Sequence, residues 1–477
     1  MSMYSATILE SHFADIQEIL FPGDGAEHAA YVLFGAADIK ADPWTGDRHR
    51  KFISHEVVPV PESEVISNDQ VHITWRMDSF VHILRAAKRK NMTVGVFHSH
   101  PSGFAAFSTQ DNRNERHWIE LAQNRNGAGA EVLSFILTED GALLGRVWQE
   151  MDRVVDLQMV RVIGDRFRFY YPDRGSGQVA ATFDRQALAL GSAFSQDMST
   201  LRIGIVGVGG TGSAANFVLC RMGPGYVAHF DSDRIDETNL SRLHGATAND
   251  VADKRLKVEI AKRVVDEMGL GTQVVSYPYW VDDPECHDGL KSCDIIIACT
   301  DDNDGRIVMN QIPFYYGTPV IDIGLALEVS KTPPYRMLAC DGRVTVIAPG
   351  QPCLVCREVV DLNLAREESL RRNTPDEYER LKKEAYVRGE GDPSPAVVFL
   401  TTEVATMAVQ ELVHRIQGFR GEGGSIHHVV RKFQLGSDRH PAGKSNTYCP
   451  VCGRKTSWGR GDDTRFLGLI DTENDDV

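Results

Sequence analysis

A chain of 477 residues with 42% hydrophobic content is too long for one compact core, and it predicts two or three domains joined by at least one linker. Its formal net charge of −15 excludes nucleic acid as the main partner, because phosphate binding relies on clustered Lys and Arg to displace counterions. No segment approaches the roughly eighteen uninterrupted apolar residues of a membrane span, and the N-terminus lacks a charged-then-apolar leader pattern, so a cytoplasmic protein with no membrane partner is expected. Of nine cysteines, four form two CxxC pairs and five are scattered in apolar or loop context, which fits a reducing compartment and predicts no structural disulfide.

From about Ala6 to Trp148 the pattern mixes one early helix, short alternating strands and a second helical stretch. Glu131 to Gln149 reads as a hairpin turned at Glu139-Asp140-Gly141. This predicts an α+β domain over residues 1–155. An aromatic-basic run follows, then the Gly-Ser-Gly stretch within Asp173 to Gln178, and residues 156–182 are expected to be linker. Within the first domain, His98-Ser99-His100-Pro101 puts two imidazoles two residues apart on a strand end, where both face one side. Ser108 and Asp111 follow, and the carboxylate can close a triangle of metal ligands. Three protein ligands on zinc leave a fourth position for water, whose pKa then falls towards about 7.

These residues match, without gap or substitution, the signature H-x-H-P followed by S-x-x-D, and the first domain thus resembles the JAMM (MPN-plus) metallopeptidases. The resemblance implies a cytidine-deaminase-like α+β fold and a catalytic zinc held by His98, His100 and Asp111. It also implies a glutamate on an earlier helix, and Glu27, which precedes an apolar run ending in Gly35, fits that pattern ahead of Glu56, Glu62 and Glu64. Glu27 would take a proton from water and hand it to the leaving amine, while the Ser108 hydroxyl helps hold the oxyanion. The competing reading makes the histidines an inert surface pair and Ser108 a simple helix cap. It requires all five elements to coincide by chance.

Further on, Arg202 to Val208 reads as a buried strand running into glycines and a helix, and Ile295 to Ala298 and Val320 to Ile323 are similar strands. Strands alternating with helices predict an α/β domain with a parallel sheet. Gly207, Gly209, Gly210 and Gly212 would let phosphates approach the backbone at a helix's positive end, and Asp231 stands where a dinucleotide fold binds ribose hydroxyls. A dehydrogenase would show the same features. Asn239-Leu240-Ser241-Arg242, Lys254, Lys257 and Thr300-Asp301-Asp302-Asn303 decide the matter, since a dinucleotide fold needs neither those cations nor that acid pair.

From about Phe183 to Gly453 this series resembles the ThiF/MoeB and ubiquitin-activating-enzyme family, whose pattern runs GxGGxGS, DxD, NLxR, a lysine and TDN. The resemblance implies a Rossmann-like adenylation domain over 183–460 that uses ATP and magnesium. Asp231 would bind ribose, Asn239, Arg242 and Lys257 phosphates, with Lys254 a second candidate. Asp301 would hold magnesium, although the extra acid Asp302 leaves that assignment open. Arg185-Gln186 with Gly191 and Gln196 repeats the family's entrance helix, whose arginine reaches the neighbouring subunit's ATP, so Arg185 implies a homodimer. Taken singly, Arg185, Arg242 and Lys257 would be ordinary solvated charges.

Cys353 with Cys356 and Cys449 with Cys452 have the spacing that wraps four thiolates around a structural zinc, whereas a redox CxxC needs no second pair. Between them a charged helical crossover segment, about 357–393, ends in Gly389-Glu390-Gly391-Asp392-Pro393. An acidic tail is expected over 461–477, plainest from Asp471. Activating enzymes that pass their cargo on as a thioester keep a cysteine on the crossover, yet Arg357 to Tyr448 contains none. Transfer is therefore expected directly from the adenylate to a partner's nucleophile, or through a hydroxyl such as Ser369, Thr374 or Ser394. Cys220, Cys286, Cys293, Cys299 and Cys340 read as small buried or loop thiols.

Taken together, the chain is similar to peptidase-plus-activating-domain fusions of bacterial ubiquitin-like conjugation operons. The resemblance implies a zinc peptidase that matures or removes a ubiquitin-like protein, joined to a domain that adenylates its C-terminal glycine for a conjugating enzyme. The nearest rival is processing and adenylation of a sulfur-carrier protein for thiocarboxylate formation in cofactor or cysteine synthesis. A further rival is a scaffold with inactive sites that only binds such partners.

Overall fold

The computed structural model describes residues 2–172, 180–383 and 395–463, with the side chains of 381–383 left out. These residues fall into two compact units. The first is built on 2–172 with 315–317 and 456–463, the second on the remaining described residues.

In the first unit, strands β1 (Met3–Leu9), β2 (Ala29–Ile39) and β3 (His49–Pro59) follow or flank helix α1 (Glu10–Leu20). A small hairpin, β4 (Val65–Asn68) and β5 (Ile73–Trp75), leads to α2 (Asp78–Lys90), β6 (Thr93–His100) and α3 (Thr109–Asn126). Five strands close the unit: β7 (Val132–Thr138), β8 (Leu143–Glu150), β9 (Arg153–Asp156), β10 (Met159–Ile163) and β11 (Phe167–Tyr170). Nine strands make one mixed sheet in the order β11-β10-β1-β3-β2-β6-β7-β8-β9. Helix α1 presents Phe13, Ile16 and Leu20, one stripe at helical spacing, to one face of that sheet. On the other face, Phe80, Ile83 and Leu84 of α2 pack with Trp118, Ile119 and Ala122 of α3. Strands β2 and β6 are therefore buried on both sides, which is why they read as continuous apolar runs.

Two boundary expectations are corrected. Residues 159–170, expected to be linker, form β10 and β11. Arg161 in that stretch is buried, its Nη1 donating to Thr7 Oγ1 at 3.1 Å and its Nη2 to Ser5 Oγ at 3.0 Å on the neighbouring β1. Residues 456–463, expected at the end of the adenylation domain and in the tail, belong to the first unit, where Gly461 bridges Ala36 and Asp462 Oδ2 accepts the Asp38 N–H at 2.7 Å. The Gly-Ser-Gly boundary, the crossover tip Gly389 to Pro393 and the tail from Asp471 lie outside the described residues.

The second unit opens with α4 (Asp184–Leu190) and α5 (Ser192–Thr200), then β12 (Arg202–Val206), α6 (Gly210–Cys220) and β13 (Tyr226–Phe230). It continues through α7 (Ala248–Ala252), α8 (Lys257–Met268), β14 (Gln273–Tyr277), α9 (Pro284–Ser292), β15 (Ile295–Ala298) and α10 (Asn303–Tyr316). Then come β16 (Val320–Val329), β17 (Met337–Ile347), α11 (Leu362–Asn373), α12 (Pro375–Lys383), α13 (Val398–Gln417), β18 (His428–Lys432) and β19 (Ser437–Arg439). The sheet order is β14-β13-β12-β15-β16-β17-β18-β19, parallel as far as β16 and antiparallel beyond it. Chain direction across the sheet reverses between β12 and β15, and that switch point opens a crevice beyond the strand ends. Strand β16 runs six residues past the expected Ile323, and burial falls along that extension, from half-buried at Gly324 and Leu325 to exposed at Glu328 and Val329. No described helix is long and apolar enough to cross a membrane.

Candidate functional site

In the first unit the site grows from the end of β6. Alternation along the strand turns His98 and His100 to one side, both buried, with their Nε2 atoms 3.1 Å apart. A seven-residue loop then reaches Ser108, the N-cap of α3, in a reciprocal cap: Ser108 Oγ accepts the Asp111 N–H at 3.1 Å and Asp111 Oδ2 accepts the Ser108 N–H at 2.6 Å. The cap turns Asp111 inward, placing Oδ1 3.5 Å from His98 Nε2 and Oδ2 3.9 Å from His100 Nε2. All three donor atoms lie within 4.8 Å of one another. Two nitrogens each about 2.0 Å from a shared tetrahedral zinc would be about 3.3 Å apart, so the set fits that ion. His100 Nδ1 donates to the Phe104 carbonyl at 2.6 Å, which leaves Nε2 as the lone-pair atom. Burial works against the Asp111 charge, but His98 and the Ser108 amide hold its carboxyl well below the usual range.

Glu27 is not on a helix, as the family pattern led one to expect. It ends the irregular segment before β2, its N–H donating to the Asp69 carbonyl at 2.7 Å. The β-branched and aromatic run that follows it forms a strand. Burial raises the Glu27 carboxyl to about 7, with the charges of His98 and Asp111 acting on it in opposite senses, so it shares their site. Of its rivals, Glu56 pairs with Lys90, Glu64 accepts the Ser79 amide at 3.0 Å, and Glu62 is exposed. Ser108 does cap the helix, yet in accepting the Asp111 amide it keeps its own O–H for donation.

In the second unit a cavity of about 410 Å³ is lined by Gly207, Gly209, Gly210, Asp231, Asn239, Arg242, Lys257 and Asp301. Gly207 has φ +79°, a turn that favours glycine, and a Cβ on Gly212 would stand 1.8 Å from the Gly207 carbonyl oxygen. A Cβ on Gly209 would meet nothing within 4 Å, so the N-terminus of α6 offers bare backbone to the cavity, a cradle that suits phosphate. Asp231 Oδ2 accepts the Val208 N–H at 2.8 Å and Oδ1 the Asp233 N–H at 2.9 Å, joining the glycine loop to the turn after β13. Lys257 Nζ lies 2.7 Å from Asp233 Oδ2; burial opposes its charge, but Asp231, Asp233 and Asp301 raise it. Arg242 Nη1 donates to the Thr238 carbonyl at 2.7 Å, and Asn239 is tied into a cap with Asp236.

The two adjacent acids differ. Asp302 Oδ1 caps α10 through the Gly305 N–H at 2.6 Å, and burial raises its carboxyl to about 6. Both line the cavity, Asp301 exposed and Asp302 half-buried. Gly212, Lys254 and Arg185 do not line the cavity: Gly212 packs beneath the loop, Lys254 is exposed with φ +48°, and Arg185 is exposed on α4. Sequence reasoning missed Arg306, Trp280 and Arg372. Arg306 sits one turn into the helix after the acid pair, a local signal that could have found it. Arg372 comes from the charged crossover, where it stacks 3.3 Å over the Trp280 ring and pairs with Asp304, and no local signal marks it.

Cys353, Cys356, Cys449 and Cys452 form a third cluster, with Sγ separations of 3.6 Å (Cys353 to Cys449) and 3.4 Å (Cys356 to Cys452). Thiolates about 2.3 Å from one tetrahedral zinc stand about 3.8 Å apart, so four soft donors here fit that ion. Elsewhere burial pushes the Cys220 and Cys286 thiols up to about 12 and Cys299 higher still, unlike nucleophiles. On the crossover, Ser369 Oγ accepts the Asn373 amide at 3.2 Å and Thr374 Oγ1 donates to the Leu370 carbonyl at 3.3 Å. Ser394 lies outside the described residues.

Two family models match the chain: the ThiF family over residues 183–451, and the prokaryotic homologs of the JAB domain over residues 10–183. Among curated proteins, the chain is 31% identical over 119 residues to the adenylyltransferase and sulfurtransferase UBA4 of Meyerozyma guilliermondii, a match covering 24% of this chain and 27% of that protein. It is 26% identical over 182 residues to the sulfur carrier protein ThiS adenylyltransferase of Bacillus subtilis (36% and 49%). With the molybdopterin-synthase adenylyltransferase of Escherichia coli the identity is 27% over 187 residues (38% and 69%). The chain thus spans little more than a quarter of the first of these relatives.

Proposed function

The chain belongs to the ThiF family and carries a JAB-type domain ahead of the matched region, and from that premise we propose a two-site enzyme of a ubiquitin-like modification pathway. One site hydrolyses the bond after the C-terminal glycine of a ubiquitin-like protein, maturing or removing it. The other adenylates the glycine so exposed. The observation that carries this reading is the convergence of His98, His100 and Asp111 in a chain whose other unit gathers Asp231, Arg242, Lys257 and Asp301 around one cavity.

In the first site His98, His100 and Asp111 would hold zinc, which supplies Lewis acidity to a water and to the scissile carbonyl. Glu27, whose carboxyl titrates near neutral pH, takes a proton from the water and returns it to the leaving amine. The O–H of Ser108 donates to the developing oxyanion. In the second site the bare amides at Gly209 and Gly210, with Arg242 and Lys257, hold the ATP phosphates while Asp231 takes the ribose. Asp301 would hold magnesium, whose charge favours departure of pyrophosphate. The C-terminal carboxylate attacks the α-phosphorus, the bond to pyrophosphate breaks, and an acyl-adenylate forms. Cys353, Cys356, Cys449 and Cys452 would hold a structural zinc.

Arg185, exposed and away from its own chain's cavity, is read as reaching the cavity of a second copy in a homodimer. The protein works in the reducing cytoplasm, and the adenylate passes to a conjugating enzyme, because Arg357 to Tyr448 holds no cysteine. That same gap, with a relative named for a sulfur carrier protein, supports a second reading in which the adenylate becomes a thiocarboxylate.

The test incubates the protein with a C-terminally extended ubiquitin-like protein, ATP and magnesium, and weighs the products. A trimmed species lost on Glu27→Ala and an AMP adduct lost on Asp301→Ala are expected. A sulfur donor yielding thiocarboxylate, where a conjugating enzyme yields no adduct, selects the second reading. Neither trimming nor AMP transfer with any such protein would refute both.

A further inference from the structure

Helix α3 carries Asp111 in its first turn, yet nothing apolar holds that end of the helix to the sheet. Its buried residues are Glu115, Trp118, Ile119 and Ala122, so the buried side chain nearest Asp111 is itself a carboxylate. Burying that charge without partners would be costly. Glu115 has partners on two strands: Oε1 accepts the Ser134 hydroxyl of β7 at 2.7 Å, and Oε2 accepts Arg146 Nε of β8 at 2.8 Å, with Nη2 2.7 Å away in an ion pair rather than a hydrogen bond. The Trp148 indole N–H also donates to Oε2. Ser134 pairs across the ladder with Arg146 on one side and with Val96 of β6 on the other, two residues before His98. Glu115 therefore fixes the rotation of α3 over the strand that carries the two histidines.

The same guanidinium lies over Phe107, its Cζ 3.6 Å from the ring centroid, and Phe107 directly precedes the N-cap Ser108. One arginine thus grips the chain on both sides of Asp111, at Phe107 before it and at Glu115 one turn after it. The geometry of a metal site makes that grip consequential. A helix rotation of about 20° swings a carboxylate about 5 Å from the axis by about 2 Å, against ligand distances that tolerate about 0.2 Å.

Resting on the peptidase reading of this unit, we infer that Arg146 is a positioning residue of the metal centre. Through Phe107 and Glu115 it keeps Asp111 within reach of the ion that His98 and His100 hold. It touches neither the ion nor the substrate, and its effect is read in metal affinity.

The test uses the full-length protein stripped of metal and titrated with zinc alone against a chromogenic chelator. The first site is identified as the zinc lost on Asp111→Ala, and the four-thiolate site is followed separately by its cobalt charge-transfer absorption. Arg146→Met removes both grips, Phe107→Leu removes the stacking alone, and Arg146→Lys keeps the charge facing Glu115 without the flat guanidinium. Expected are a loss of about tenfold or more in first-site affinity for Arg146→Met, as outer-shell changes at metal sites cause, smaller losses for the other two, and an unchanged thiolate site. Phe107→Leu and Arg146→Lys, both folded by circular dichroism, binding zinc at the first site as the unaltered protein does would overturn the inference, whether or not Arg146→Met folds. An unaltered protein with no zinc sensitive to Asp111→Ala would instead remove the peptidase reading, and the inference with it.

Discussion

Gly209→Ala separates the nucleotide reading from mere fold maintenance. Gly209 caps α6 with φ −71°, a value any L-residue adopts, and an added Cβ would meet nothing within 4 Å. Alanine should therefore keep the fold, although with ψ at −150°, past the edge of the extended region, it gains no stability through the unfolded chain. The space it fills is the cradle over the α6 amides. Holding a phosphate off one such amide removes a charge-assisted hydrogen bond of about 1.5–3 kcal/mol, which is about a ten- to hundredfold weaker binding of Mg-ATP. Gly212→Ala is the contrasting control. Its Cβ would sit 1.8 Å from the Gly207 carbonyl oxygen, where contacts under 3.0 Å force a shift, so the loop must move and stability falls by about 1–3 kcal/mol. Calorimetric titration with Mg-ATP beside thermal melts reads both quantities. Gly209→Ala binding Mg-ATP like the unaltered protein would refute the argument, because phosphates could not then lie on that backbone.

Three further outcomes follow from the same geometry. In the zinc-free protein Glu27→Gln should raise stability above pH 7 while abolishing cleavage. The Glu27 carboxyl goes from an ordinary 4.5 to about 7 on folding, so its ionisation penalty is absent below 4.5, grows as pH climbs to about 7, and is full beyond. Relief of about 1–3 kcal/mol at pH 8, vanishing at pH 4, is expected in melts across pH, and a pH-independent difference would contradict it. Asp301→Ala should abolish magnesium-dependent pyrophosphate exchange, whereas Asp302→Asn, which can still accept the Gly305 amide, should retain most of it; equal losses would reverse the assignment. Cys449→Ser should lower zinc content by one equivalent and destabilise the second unit while leaving peptide cleavage in place, measured by metal analysis and proteolysis; an unchanged metal count would exclude the four-thiolate site.

Local spacing made both centres readable. His98, His100 and Asp111 lie within fourteen residues, and a strand end followed by a capped helix is enough to converge them. Gly207 to Gly212 likewise form one turn. What escaped reading depends on residues far apart in the chain. Arg161 marks solvent in a one-dimensional pattern, but Ser5 and Thr7 of a strand more than 150 residues earlier receive it, so 159–170 is sheet rather than linker. Glu27, singled out by its pattern, was expected on a helix and instead precedes a strand, because an apolar run after a glutamate fits a helix or a buried strand equally well. The Arg372–Trp280 stack and the Phe107–Arg146–Glu115 grip each join segments that no window spans.

On the proposed peptidase reading, the first site's two carboxylates divide the labour by environment alone. Asp111 is bound into the N-cap of α3 and faces His98, which hold its carboxyl well below the usual range against the effect of burial, and that suits a ligand rather than a proton carrier. Glu27 is buried before β2, where desolvation outweighs the nearby histidine and brings its carboxyl to about 7, where it exists in both protonation states under neutral conditions. Two acids of nearly equal intrinsic strength are thereby pushed apart, and such a split identifies which is the acid–base group. Exchanging the residue types would not exchange the roles. An aspartate at 27 would still be raised by burial, though its shorter stem would draw it back from the water, and a glutamate at 111 would overreach the cap that holds the ligand in place.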